Sequence, residues 1–63
     1  MNAELSRRVA RVMLTTTVRD ATLASDDFLT DFREAVSRAA SFDDLPIGHQ
    51  NLIRDAESEL EQR

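Results

Sequence analysis

The stretch AELSRRVARVMLTTTVRDATL, residues 3–23, decides how this chain can fold, because it carries apolar residues on two faces of a helix. At about 100° per residue, a broad stripe forms from Leu5, Val9, Val12, Met13, Thr16 and Leu23. A narrower stripe on the opposite side is made of Ala10, Leu14, Val18 and Ala21. We expect the broad stripe to pack on the rest of the chain and the narrow stripe to contact a second copy or a partner protein.

The weak point of this helix is a run of four β-branched residues, Thr15-Thr16-Thr17-Val18. Such side chains lose rotamer freedom against the preceding turn, which lowers helix propensity. Packing against the other helices would have to keep these turns helical. The alternative is that the helix breaks here and a short extended segment follows.

The charges divide the chain into a basic and an acidic part. Residues 1–22 hold four arginines against two carboxylates, a balance of +2, whereas residues 23–63 hold four arginines against ten carboxylates, a balance of −6. All eight basic residues are arginine. Guanidinium groups suit phosphate or carboxylate recognition, but a coding bias of a GC-rich genome is the simpler explanation for the missing lysines.

Two further helices are predicted downstream. Ser25, Asp26 and Asp27 supply an N-cap and first-turn acids, and they open a helix over 26–40. Its apolar stripe consists of Phe28, Leu29, Phe32, Ala35, Val36, Ala39 and Ala40.

Asp43 or Asp44 is expected to cap the third helix, over 46–61, in which Pro46 suits the first turn. Its seam consists of His49, Leu52, Ile53, Ala56 and Leu60, and Ile47 points away from it. Because the connections are short, neighbouring helices should be antiparallel. The fold class is therefore all-α: one small domain over 1–63, a three-helix bundle or open three-helix array, with the first helix forming a dimer interface.

The residue inventory excludes most catalytic and metal chemistry. The chain has no cysteine and one histidine, whereas a zinc site takes several His or Cys ligands and a catalytic nucleophile needs a partner base. Calcium loops need alternating oxygen ligands around a central glycine, a spacing not found here. We expect no enzymatic activity, no metal and no cofactor.

The remaining polar features have structural explanations. We expect His49 to be half covered by a neighbouring helix, and a pH-sensitive interface switch is the alternative. The acidic groups near 26–31 and 43–44 lie where helix N-termini favour acids. The carboxylates of the third helix are expected on its solvated back; they are Asp55, Glu57, Glu59 and Glu61.

Membranes and nucleic acids are poor partners on this pattern. No apolar run approaches the ~20 residues of a membrane span, so we expect a cytoplasmic protein. In a helix-turn-helix the last helix would enter the groove, and here its carboxylates would repel phosphates. The first helix offers arginines but no lysine, amide or aromatic side chain to read or stack bases.

The sequence therefore predicts a small non-enzymatic adaptor or regulatory module that binds a protein partner or, as a homodimer, a second copy through the first helix. The expected interface residues are Arg7, Ala10, Arg11, Leu14, Val18 and Ala21. The alternative is a nucleic-acid-linked regulator. It would bind DNA through the edge of Arg7, Arg8 and Arg11, or block a DNA-binding protein with its acidic helices.

Overall fold

The computed structural model describes residues 2–62, and within them the chain is all-α, as predicted. Four α-helices follow one another: α1 (Ala3–Val12), α2 (Thr16–Ala24), α3 (Phe28–Arg38) and α4 (Ile47–Glu61). A short 3-10 turn, Phe42–Asp44, lies between α3 and α4. Residues 1 and 63, the ends of the predicted domain, lie outside the described residues.

The predicted first helix is two helices, because the chain turns at Met13, Leu14 and Thr15. Thr15 is the N-cap of α2: its hydroxyl oxygen accepts a hydrogen bond from the amide of Val18 at 3.3 Å and donates one to the carbonyl of Val12 at 2.6 Å. A threonine that caps a helix has extended backbone angles, and Thr15 has φ −80° and ψ 156°. The break therefore falls at the start of the β-branched run, and helix resumes through Thr16, Thr17 and Val18.

The break changes which side of the segment faces inward. Leu5 and Val12 of the broad stripe are buried, but Thr16 and Leu23 of the same stripe are exposed. Val18 of the narrow stripe is buried instead, at 2% exposure. In a single helix over 3–23, the same stripe would have faced the core along the whole length. The turn before Thr16 rotates the residues that follow, so a different stripe faces the core in α2.

The last helix occupies the centre of the fold, because α1 and α2 both pack on α4, and α2 also packs on α3. The core combines residues from every helix and from the segment after α3: Leu5, Val12, Val18, Phe32, Val36, Ala39, Leu45, Ile53 and Ala56.

Side-chain amides attach the helix ends to the rest of the fold. The Asn2 side chain caps α1 by accepting from the amides of Glu4 and Leu5, and it donates to the carbonyl of Ala40 at 3.0 Å. The buried Gln50 of α4 donates to the carbonyls of Asp43 and Leu45.

The start of α4 differs from the prediction that Asp43 or Asp44 would cap it. Pro46 is its N-cap, without a side-chain hydrogen bond. The Asp44 carboxylate accepts instead from the amide of Ala40, just after α3. Asp44 therefore closes the connection between α3 and α4, and the amides of His49 and Gln50 in the first turn of α4 pair with the carbonyl of Pro46.

Candidate docking surface

An open, mainly apolar groove lies between α1 and α3. It has a volume of about 270 Å³. The residues that line it are Ser6, Val9, Ala10, Arg33 and Val36. Ser6 and Ala10 are four residues apart and so share one side of α1. We call this feature the α1–α3 groove.

Two exposed arginines border the α1–α3 groove: Arg33 in its lining, and Arg7, which lies three residues before Ala10 on α1. Arg11 directly follows Ala10 and its charge acts on Glu57 of α4, so it is turned away from the groove. Among the described residues, no carboxylate lies within ion-pair distance of Arg7 or Arg33. A guanidinium presents five donors in a planar fork that matches a carboxylate. The groove thus combines apolar walls with cationic groups free to bind an anion.

Arg8, by contrast, is engaged within the fold. Its Nε donates to one carboxylate oxygen of Glu57 at 3.0 Å and its Nη2 donates to the other at 2.9 Å. Its guanidinium carbon also lies 4.3 Å from the centre of the Phe42 ring, a cation–π distance. Of the arginine edge predicted from the sequence, Arg8 is therefore already paired within the fold.

The ion pair shifts the pKa of both partners. The hydrogen bond from Arg8 holds the pKa of the Glu57 carboxyl below its usual range, with smaller contributions from the charges of Arg8 and Arg11. The same hydrogen bond raises the pKa of Arg8. Each group is therefore more firmly charged in the folded chain than in the unfolded one.

The predicted interface residues separate into three groups. Arg7, Ala10, Arg11 and Leu14 are exposed, and Leu14 is the most exposed large apolar residue, at 87%. Ala21 is half-buried. Val18 belongs to the core and is unavailable to a partner, because the turn before α2 directs it inward.

Four carboxylates of α4 were expected on its solvated back, and for two of them, Glu57 and Glu59, that expectation is wrong. Glu57 binds Arg8 of α1, and Glu59 accepts from the amides of Thr16 and Thr17 at the start of α2. The helical positions could have indicated this, since 57 lies four residues after the buried Ile53 and 59 lies three residues after the buried Ala56. Both carboxylates lie half-buried beside the seam of α4.

A second surface combines an exposed leucine with acids. Leu23, in the last turn of α2, is 78% exposed. Asp20 precedes it by three residues, and Asp26 and Asp27 follow in the connection to α3; all three are exposed. Among the described residues, Asp20 is the one of these aspartates with a cation in ion-pair range, Arg19, at a long 3.8 Å. We call these four residues, Asp20, Leu23, Asp26 and Asp27, the acidic corner.

Within the described residues no group of three or more His, Asp or Glu side chains could hold a metal ion. His49 is half-buried, and its ring packs edge-on against Phe32 and Phe28, with centroids 5.2 and 6.0 Å apart. None of the helices described is long and apolar enough to cross a membrane.

Comparisons with family models, with curated proteins and with solved structures gave no match.

Proposed function

We propose that this chain is a small non-enzymatic protein–protein interaction module that self-associates through the exposed side of α1 and the α1–α3 groove. The observation that carries the proposal is an apolar groove bordered by two arginines, Arg7 and Arg33, that have no carboxylate partner within residues 2–62. Such a surface fits an apolar side chain flanked by carboxylates, because burial of the side chain and charge pairing at the rim act together.

A second copy of the chain supplies the complementary charge. Its net charge is −4, and its last 41 residues carry ten of its twelve carboxylates. Association also stabilises a short chain, because any binding to the folded state alone shifts the folding equilibrium toward that state. Chains of this size often depend on such a partner, since one small core contributes little net stability.

The apolar lining favours a protein over a nucleic acid as the occupant. A phosphate backbone would pair with Arg7 and Arg33 but would leave the apolar lining of the groove, Val9, Ala10 and Val36, without apolar cover. A leucine or similar side chain covers them, and removing apolar area from water contributes roughly 25 cal/mol per Å².

The test is the mass of the chain in solution, measured by sedimentation equilibrium from low micromolar concentration to about 1 mM. A Kd of about 1 mM corresponds to a binding free energy of about −4 kcal/mol. The unmodified chain should exceed the monomer mass as concentration rises. Ala10→Glu, which places a carboxylate at the groove, should remain monomeric with unchanged helix content.

Asn51→Glu is the matched control, because it adds the same charge at an exposed position of α4 outside the groove. It should associate like the unmodified chain. An unmodified chain that stays at the monomer mass over the whole range would overturn the proposal, as would an Ala10→Glu chain that associates normally.

A further inference from the structure

The acidic corner has the composition that the α1–α3 groove requires. Leu23 offers one exposed apolar side chain, and the three aspartates around it carry the opposite charge to Arg7 and Arg33 at the groove. We propose that one copy inserts Leu23 into the α1–α3 groove of the next copy, with its aspartates facing Arg7 and Arg33. This inference rests on the proposed self-association and specifies its geometry.

The groove has room for such a side chain. A cavity of about 150 Å³ accommodates a benzene ring, and the groove measures about 270 Å³. The volume of the groove therefore exceeds what a leucine side chain occupies.

A symmetric contact of α1 with α1 is disfavoured by charge. A two-fold axis near Ala10 would bring Arg7 and Arg11 of both copies into one interface, and like charges across an interface are repulsive. Docking of the acidic corner brings opposite charges together instead. The contact is then heterologous, with different surfaces on the two copies.

The other exposed apolar residues are less suited to this role. Leu14 follows Arg11 by three residues, so it approaches the groove with a charge of the same sign. Ile47 is 68% exposed, and the nearest acids before it are Asp43 and Asp44, of which Asp44 already accepts from the amide of Ala40. Leu23 alone has three exposed aspartates within four residues.

The two surfaces are separate on one copy. Asp27 occupies the N-cap position of α3, without a side-chain hydrogen bond to the helix, whereas Arg33 and Val36 lie six and nine residues further along it, about 9 to 14 Å at 1.5 Å per residue. One copy can therefore offer its corner to one neighbour and its groove to another. Such a contact builds rings or open chains.

A mixing experiment tests this geometry. Leu23→Glu removes the apolar anchor but leaves the groove intact, and Ala10→Glu closes the groove but leaves the corner intact. Each variant alone should be monomeric, with association weakened at least about tenfold, as for loss of a central anchor. An equimolar mixture should form a one-to-one heterodimer and nothing larger, because only one productive contact remains.

Ile47→Glu is the matched control, an exposed apolar residue changed in the same way, and it should associate like the unmodified chain. Leu23→Asn repeats the test without a new charge, and circular dichroism confirms that each variant is folded. If both Leu23 variants associate normally while Ala10→Glu does not, the head-to-tail geometry is wrong and the proposed function stands. If the unmodified chain never associates, both fail.

Discussion

Arg8 lies between a carboxylate of α4 and an aromatic ring of the preceding connection. It holds Glu57 through two hydrogen bonds and covers one side of Phe42, while Arg54 lies 5.3 Å from the centre of the same ring. About a third of the Arg8 and Glu57 side chains remains exposed, so solvent screening reduces the contribution of the pair. The cluster nevertheless fixes α1 on α4 at a defined point.

We predict that Glu57→Gln lowers the free energy of unfolding by about 1 kcal/mol at neutral pH. Because Arg8 lowers the pKa of Glu57 in the folded chain, the pair stabilises the fold fully above the unfolded pKa of about 4.3. That stabilisation is lost as the pH falls through the lower folded pKa. Urea unfolding measures the free energy of unfolding of the unmodified chain and of Glu57→Gln, and the difference between the two should decrease at acid pH.

Glu34→Gln serves as the control for this prediction. The Glu34–Arg38 pair is an i,i+4 contact whose side chains are 53% and 78% exposed, so its loss should change stability by no more than about 0.5 kcal/mol. If the loss in free energy of unfolding caused by Glu57→Gln stays constant from neutral to acid pH, the stabilisation does not come from the charged Arg8–Glu57 pair.

At the level of elements, the break between α1 and α2 depends on one hydroxyl and one distant carboxylate. Thr15 is 1% exposed and bonds both the end of α1 and the start of α2. The Glu59 carboxylate accepts from the amides of Thr16 and Thr17 and from the Thr17 hydroxyl. Together they pair three amides that a helix start leaves without intrahelical partners.

We predict that Thr15→Val, which keeps the shape and removes the hydroxyl, lowers the free energy of unfolding by about 1 to 2 kcal/mol, the usual cost of a lost N-cap. Thr15→Ser, which keeps the hydroxyl, should cost less than half as much. Chemical unfolding followed by circular dichroism measures both. A loss in Thr15→Ser as large as that in Thr15→Val would contradict the assignment, because the methyl group would then contribute as much as the hydroxyl.

This break also separates what the sequence could and could not predict. The helical periods of α3 and α4 are local, and the α-helices found there lie within 26–40 and 46–61. The position of the turn at Thr15 depends on Glu59, which is 43 residues beyond Thr16. The burial of Val18 follows from that turn, so a single-helix pattern assigned Val18 to the wrong side.

The candidate surface was predictable to the same limited degree. Helical spacing alone indicated that Arg7, Ala10 and Arg11 face away from the core. The α1–α3 groove, however, needs Arg33 and Val36 of a helix that no pattern in residues 3–23 can position. The engagement of Arg8 by Glu57 likewise depends on how α1 packs against α4.

At the level of the whole molecule, association and folding should be coupled. Ligands that bind only the folded state raise its stability by about 1.4 kcal/mol for each tenfold rise in concentration above the Kd. One kcal/mol shifts the midpoint of thermal unfolding of a domain this small by about 4 to 8 °C. We therefore predict that the Tm of the unmodified chain rises by about 5 to 10 °C per tenfold increase in concentration.

Leu23→Glu should abolish this rise without lowering the Tm measured at the lowest concentration, because Leu23 is exposed and contributes little to the core of the monomer. Asn51→Glu, with the same added charge on α4, should retain it. Circular dichroism melts in cells of different path length cover the concentration range. If the Tm of the unmodified chain does not depend on concentration, folding and association are not coupled. If the Tm of Leu23→Glu still rises with concentration, the contact is made by another surface.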